Sequence, residues 1–284
     1  MYQPSVAKKD NIFDIFMIDG ILGAAIREDA RLGVEVLFAR DEAGRPGARA
    51  TTLSAQIVAE VRDALFARRL KPGDFLGGEK DIAQRAGVSR IVARDALRTL
   101  AALGVVDIRM GAGGGARIAR GNPQLFAEAL AVQLALTGVG IGEIMDAQRA
   151  VECEAAALAA ERASPADRER LAVLIAEADG QRHDLDAFTR LSRDFHLAIA
   201  EASHNRVLVF QLVSLQHVSW PRHNRTLTPE VAARVLAAHR ELAHAIGTGD
   251  GAAARRLMDE HVRMIRARRT AEHGESENPL QACC

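Results

Sequence analysis

The chain has 284 residues, enough for two domains, and apolar residues make up 48% of it. Its three cysteines form no disulfide framework or zinc spacing, which favours a reducing cytoplasm, and no apolar run reaches the roughly 18 residues of a membrane span. The net charge is zero, yet residues 51–120 hold 12 Arg and Lys against 7 Asp and Glu, a net +5, while residues 121–284 hold 18 against 22, a net −4. A basic module followed by an acidic one is typical of a DNA-binding domain joined to a second domain.

Residues 1–50 form an N-terminal extension of uncertain order. Two apolar patches flank charged residues, so the pattern fits either an extra helix pair or a poorly ordered segment. Asp14 and Asp19 interrupt the apolar stretch NIFDIFMIDGILGAA, which argues against a signal peptide. The extension ends in DEAGRPGARA, whose glycines and proline indicate a linker. We expect the core activity not to need this segment.

Residues 51–120 contain the first regular pattern of the chain. Thr51 or Thr52 can cap a helix that runs to about Arg69, with its apolar residues on one face. The turn KPGD ends this helix, and a short second helix is expected over about 79–86.

A third helix follows a tight glycine turn. Ser89 caps this helix, which ends near Leu103 with a glycine as its stop. Strand-like runs at 105–108 and 117–119 then flank a glycine-dense loop at 111–115. Helix, helix, turn, helix and β-hairpin are the order of a winged helix-turn-helix.

Three arginines mark the third helix as a DNA-reading element. Arg90, Arg94 and Arg98 stand at i, i+4 and i+8, so they form one stripe. The opposite, apolar stripe is expected to comprise Val92, Ala96, Leu97, Leu100 and Leu103. A helix held by its apolar side with arginines outward suits the major groove, although a merely solvated face would look the same. The helix cap, the turn, the glycine-rich hairpin and the local +5 charge favour DNA binding.

The run from LSAQIVAEV to GVVDIRMGAGG resembles the GntR-type winged helix without a gap over about 70 residues. The blocks LKPGD, EKDIAQRAGVSR and VARDALRTLAALGVV carry the resemblance. It implies that Lys80, Ser89, Arg90 and Arg94 contact the operator and that Gly111 lies at the wing tip.

Two departures from that family pattern stand in the same run. Gly77 and Gly78 replace the Pro-Ser that usually precedes the second helix, so a side-chain cap is expected to be lost. Met110 stands where the wing often has a polar residue. Neither departure removes the arginines.

The chain beyond Gly121 has helical periodicity and no strand pattern. We predict a mainly α protein in which residues 121–272 form an all-helical bundle and residues 273–284 a polar tail. The expected helices lie near 123–136, 141–162, 165–179, 184–202, 205–219, 229–247 and 251–270.

Three histidines lie on the apolar faces of three different predicted helices: His196, His239 and His261. A single inward histidine is usually a hydrogen-bonded core residue. Three in one small bundle are harder to satisfy, because each polar ring needs a buried partner. A shared divalent ion of the zinc or nickel type would satisfy all three rings.

The C-terminal half resembles the FCD ligand-binding domain of the FadR subgroup over roughly residues 123–270. The blocks DAQRAVECEAAALAAERAS, DFHLAIAEASHN and AAHRELAHAIGTGDGAAARRLMDEH carry the resemblance. It implies a helical bundle that forms a homodimer and binds a small carboxylate effector, often beside a metal.

The metal site implied by this resemblance departs from the family pattern at one position. The family places an Asp or Asn one helical turn before the first histidine, where this chain has Ser192. Asp194 is only two residues from His196 and is expected to point elsewhere. We therefore expect the usual carboxylate ligand to be missing.

The effector-binding residues are less clearly marked. Gln148 stands where the family usually has an arginine, although Arg149 adjoins it. Arg222 and Arg225 lie near a helix break and could bind an effector carboxylate, or could equally be surface arginines. With Ser192, they complete the candidate effector site.

These patterns together predict a cytoplasmic, homodimeric transcription repressor that binds a short palindromic operator in double-stranded DNA. A metal-dependent enzyme is the alternative, since three histidines with an open coordination position could activate water. The sequence contains no recognisable nucleophile elbow, phosphate loop or metalloprotease motif. It also has no lysine in its C-terminal half, which excludes the pyridoxal phosphate domain of some GntR relatives.

Overall fold

The computed structural model describes residues 52–111, 113–219 and 227–273, and the chain divides into two units between Gly121 and Asn122. The first unit contains, in chain order, α1 (Leu53–Phe66), β1 (Phe75–Gly77), α2 (Glu79–Ala86), α3 (Arg90–Ala102), β2 (Val106–Arg109) and β3 (Gly115–Ile118). The second contains α4 (Pro123–Thr137), α5 (Ile141–Arg162), α6 (Pro165–Gly180), α7 (Leu185–Ala202), α8 (Arg206–Ser219), α9 (Pro229–Thr248) and α10 (Gly251–His273). The predicted fold class is confirmed: a winged helix-turn-helix and an all-helical bundle. None of the described helices is long and apolar enough to cross a membrane.

Capping side chains set the helix starts of the first unit. The Thr52 hydroxyl accepts a hydrogen bond from the amide of Ala55 at the start of α1. Gly78 has no side chain to cap α2, but the Asp81 carboxylate accepts a hydrogen bond from the Gly78 amide over 2.8 Å. This reciprocal half of a capping box partly replaces the cap that the Gly-Gly sequence removes.

The small sheet has the strand order β1-β3-β2, with both pairs antiparallel. Strands β2 and β3 form the predicted hairpin. Strand β1 was not predicted, because three residues carry no readable alternation and their partner strand lies about 40 residues further along the chain.

One residue of the predicted apolar stripe lies outside the core. Leu103 is 63% exposed, whereas Ala96, Leu97 and Leu100 are buried. Helix α3 ends at Ala102, so Leu103 is the C-cap residue and its side chain leaves the packed face. The expectation that Leu103 helps to hold the helix is therefore wrong.

The second unit is built around α5, which packs against α7, α8, α9 and α10. Its core cluster joins Ile141 and Met145 of α5 to Phe195 of α7, Leu242 of α9 and Met258 of α10. Many of the other core residues of α5 are alanines, so the neighbouring helices can approach closely and carry inward side chains to one place.

Candidate functional site

The arginine stripe lies on the exposed side of α3. Ser89 caps this helix, its hydroxyl accepting a hydrogen bond from the Val92 amide over 3.3 Å. Arg90, Arg94 and Arg98 are all exposed. The opposite side of α3 is buried in the core through its alanines and leucines, so the helix presents its basic side to solvent.

Arg94 forms a two-pronged ion pair with Glu79 at the start of α2. Its Nε and Nη2 atoms donate to the two carboxylate oxygens over 2.8 and 2.9 Å. The Arg94 hydrogen bonds have the largest effect on Glu79 and lower its pKa; desolvation opposes them, and the charges of Arg94, Arg98 and Arg90 lower the pKa further. The pair also raises the pKa of Arg94. The planar guanidinium is thereby held in a fixed orientation on the outer face of the helix.

Ile91 adds an apolar side chain to this basic surface. It is 77% exposed in the first turn of α3, next to Arg90. From the sequence, Ile91 was assigned neither to the arginine stripe nor to the apolar stripe of this helix. Only the fold shows that the side chain of Ile91 is exposed beside the arginines.

Lys80 and Gly111 lie on separate parts of the same unit. Lys80 is exposed on α2, one residue after Glu79. Gly111 lies at the turn between β2 and β3 with a φ of +99°, a value that favours glycine. Met110 beside it is 93% exposed, so the hairpin tip presents a flexible apolar side chain.

The three inward histidines meet in the second unit. They come from α7, α9 and α10 and are at most 3% exposed. The Nε2 atom of His261 lies 3.2 Å from that of His196 and 3.3 Å from that of His239. Three ring nitrogens therefore face a common point in the bundle.

Burial keeps two of these rings neutral. Desolvation lowers the pKa of His239 well below its usual value, and the neighbouring His261 and His196 lower it further. Desolvation also lowers the pKa of His261 well below the usual value, with added effects of His196 and Arg268. Neutral imidazole is the form that binds a metal ion through a nitrogen lone pair.

The donor set fits a divalent ion. Nitrogens that bind zinc tetrahedrally at about 2.0–2.1 Å lie about 3.3–3.4 Å apart, close to the 3.2 and 3.3 Å that separate Nε2 of His261 from those of His196 and His239. Within the described residues, the Nδ1 atom of His261 is buried without a hydrogen-bond partner, so its ring is not held by a network of its own. Ser192 is buried one turn before His196, whereas Asp194 is part-exposed and pairs with Arg193.

A buried carboxylate lies on the far side of this cluster. Glu152 of α5 is 1% exposed and pairs through Oε2 with Nδ1 of His196. Sequence analysis missed it, although it falls on the buried stripe of α5 with Met145, Gln148 and Ala156. A charged residue on such a stripe is the signal that could have found it.

The predicted effector arginines are not brought to the cluster by any described contact. Arg149 donates to Asp259 of α10 over 2.7 Å, an ion pair of two part-exposed side chains. Gln148 instead points inward and donates to Glu152. Arg222 and Arg225 lie outside the described residues.

Comparison with known families matches both units. Residues 53–115 match "Bacterial regulatory proteins, gntR family", and residues 143–264 match "FCD domain".

Several curated proteins are similar over most of the chain. A protein of Escherichia coli (strain K12), named as a candidate regulatory protein of the L-lactate dehydrogenase operon, is 31% identical over 223 residues, covering 75% of this chain and 84% of its own. The regulator LutR of Bacillus subtilis (strain 168) is 28% identical over 199 residues, covering 68% and 90%. The Glc operon transcriptional activator of Escherichia coli (strain K12) is 28% identical over 222 residues, covering 74% and 87%.

Among solved structures, a GntR protein of Streptococcus agalactiae superposes with a TM-score of 0.54 at 22% identity. The match covers 75% of this chain and 99% of that protein. At this level of identity it shows a common fold.

Proposed function

Because this chain belongs to the GntR family of bacterial regulatory proteins and carries an FCD domain, we propose that it is a repressor whose operator binding is controlled by a small carboxylate bound at the three-histidine cluster. Family membership makes the chain a DNA-binding transcriptional regulator and not an enzyme. The single observation that carries the sensor half of the proposal is the convergence of the Nε2 atoms of His196, His239 and His261.

In this proposal the three histidines hold a divalent ion of the zinc or nickel type. When bound, the ion supplies positive charge and open coordination positions to an anionic ligand. The protein's own part is to keep the rings buried and neutral and to leave a small polar side chain, Ser192, one turn from His196. An effector carboxylate would then take the place that an aspartate has in the family pattern, with Arg149, Arg222 and Arg225 as further candidates for contact.

The DNA-binding half of the proposal rests on α3. Arg90, Arg94 and Arg98 form its basic outer stripe, and Ser89 stands at its N-terminus, where recognition helices meet base edges. Lys80 and Gly111 are proposed to contact the backbone from α2 and the wing. A homodimer would place two such helices on the half-sites of a short palindrome.

We assign these roles to residues 51–120 for DNA binding and to residues 121–272 for effector binding and dimerisation. The extension of residues 1–50 and the tail of residues 273–284 carry neither role. The protein is proposed to act in the cytoplasm, where the operator and the metabolite are both present.

Two linked experiments test the function. An operator is first selected from random duplex DNA with the full chain, and short carboxylic acids are then screened by thermal shift with and without zinc or nickel. L-lactate belongs in the first set, because one relative is named for the L-lactate dehydrogenase operon. A ligand that binds only the native state raises the melting temperature.

The active acid is then added to the protein–operator complex. Release from DNA is expected for an inducible repressor, and tighter binding for a repressor that needs a co-ligand. The Glc operon relative is an activator, so transcription from the operator is measured as well. The sensor proposal is wrong if no acid changes either the melting temperature or operator affinity in the presence of metal.

A further inference from the structure

A continuous chain of buried hydrogen bonds runs through the bundle to His196. Ser219 at the end of α8 donates from its hydroxyl to Oε1 of Gln148 over 2.8 Å. Gln148 donates from Nε2 to Oε1 of Glu152 over 2.6 Å, and the other carboxylate oxygen of Glu152 pairs with Nδ1 of His196. All four residues are at most 4% exposed. The chain links three helices and ends on one of the three clustered rings.

The direction of each hydrogen bond in this chain follows from the ionised form of Glu152. With Glu152 ionised, its carboxylate only accepts, so the amide NH₂ group of Gln148 donates to one oxygen and Nδ1 of His196 carries the proton that it donates to the other. The Gln148 oxygen is then free to accept from the Ser219 hydroxyl. With Nδ1 protonated, a neutral His196 has its lone pair on Nε2, the atom that faces His261.

Burial makes a carboxylate at this position costly unless positive charge lies nearby. The hydrogen-bond partners that the structure gives Glu152 are the amide of Gln148 and the ring of His196, and neither carries a permanent charge. A cation on the Nε2 side of His196 would add positive charge across the imidazole ring. Carboxylate–histidine–metal arrangements of this kind orient the ring and raise its basicity.

We infer that Glu152 is a positioning residue for metal binding: it fixes Nε2 of His196 as the metal-facing atom and supplies the anionic charge that Ser192 does not, while Gln148 and Ser219 hold its carboxylate in place. The inference rests on the proposed metal at the three-histidine cluster. It concerns residues that do not touch the ion.

A network with a purely structural role would bury the same four residues without affecting metal affinity. The substitution Glu152→Gln distinguishes a structural role of Glu152 from a positioning role. This variant keeps the size and a hydrogen-bond acceptor but removes the charge, so a structural role predicts little change in metal affinity. A positioning role predicts that zinc or nickel binds about 10- to 100-fold more weakly.

The chain offers a matched pair of serines on α8 for a second comparison. Ser219→Ala removes the hydroxyl that holds Gln148 and is expected to weaken zinc binding several-fold. Ser214→Ala is the control, because Ser214 is equally buried on the same helix but donates to the backbone of Phe210. Its zinc affinity should equal that of the wild type.

Zinc affinity is measured by calorimetry against a competing chelator, and the state of His196 by ¹⁵N spectra of the ring in the metal-free protein. The wild type should show His196 protonated at Nδ1, a readout that needs neither a variant nor a metal. Protonation at Nε2 would overturn the inference even if Glu152→Gln failed to fold.

Adding Ser192→Asp to Glu152→Gln should restore most of the zinc affinity, since a direct carboxylate ligand would replace the lost charge. Equal zinc affinities of wild type and Glu152→Gln would overturn this inference but leave the proposed metal site standing. Absence of zinc and nickel uptake by the wild type would overturn the metal site of the proposed function, and this inference with it.

Discussion

The guanidinium of Arg94 donates two hydrogen bonds to the carboxylate of Glu79, and so ties the outer face of α3 to the first turn of α2. Both side chains remain about half exposed, which leaves the guanidinium within reach of a DNA duplex. The pair therefore orients Arg94 before DNA binds.

The first prediction concerns this arginine stripe. Arg94→Ala should weaken binding to the selected operator on the order of tenfold to a hundredfold if Arg94 contacts a base, with relaxed specificity at that base pair. Arg62→Ala is the control, because Arg62 is an exposed arginine of α1 outside the stripe. Affinities are measured by fluorescence anisotropy at one fixed salt concentration. Wild-type affinity of both Arg90→Ala and Arg94→Ala would contradict the role given to α3.

The second prediction concerns Ile91, whose exposed side chain is suited to a thymine methyl group. Replacing the contacted thymine by uracil removes that methyl and should weaken wild-type binding about fourfold, the value of one buried methyl. The Ile91→Ala variant should bind both duplexes equally. Leu103→Ala, a change at an equally apolar exposed residue beyond the end of α3, should keep the thymine preference. Equal binding of thymine and uracil operators by the wild type at every position would rule out this contact.

The third prediction concerns metal and effector together. Ser192→Asp should tighten zinc binding and reduce the coupling between zinc and the acid found in the screen, because the new carboxylate fills the effector's place. In the wild type this coupling should be about 1–3 kcal/mol and identical in both directions. Ser192→Ala is the matched neutral variant and should keep the coupling. Calorimetric titration of zinc with and without the acid measures it; unchanged coupling in Ser192→Asp would argue against a shared site.

The fourth prediction uses Cys153 of α5. Burial, helped by the charges of Asp259 and Glu152, raises the pKa of its thiol to about 11. The reactive thiolate is therefore scarce at pH 8, and iodoacetamide should leave Cys153 unmodified in the folded protein. Peptide mass mapping after a timed reaction measures the labelling, and the same protein in denaturant is the control. Rapid labelling of Cys153 in the native protein would show that the core around α5 opens readily.

The fifth prediction concerns residues 1–50, which precede the described part of the chain. A protein that begins at Arg49 should fold and bind the selected operator with near-normal affinity. Melting temperature and operator affinity are compared with those of the full chain. Loss of either property would mean that the extension packs on the fold or reaches the DNA.

Helix positions were largely readable from the sequence, because capping residues and prolines mark the helix starts. Ser89, Ser164 and Thr228 each cap the helix that follows them, and the last two precede a proline at the first helical position. These helix-start signals are local in sequence, so they can be recognised without knowledge of the fold. The seven helices expected beyond Gly121 accordingly begin within one residue of their observed starts.

The side-chain pairs that join different helices were harder to predict from the sequence. Glu152 meets His196 across 44 residues of sequence, and Arg94 meets Glu79 across 15. Such pairs depend on how helices pack, which no local pattern encodes. The histidines were found because three polar rings lie on apolar helix faces, whereas Glu152 was overlooked although it also falls on the buried side of its helix.

The ion pair between Arg94 and Glu79 also bears on how salt affects DNA binding. An arginine that neutralises a phosphate normally releases a condensed counterion, and each such contact adds about 0.9 to the slope of log affinity against log salt. If Arg94 leaves Glu79 for a phosphate, the stranded carboxylate attracts a cation in return, so the net ion release is small. The ion pairs of the described residues include Arg94 with Glu79 but neither Arg90 nor Arg98, so these two arginines would release ions in full. The protein's affinity for DNA should therefore be less sensitive to ionic strength than its number of arginines suggests.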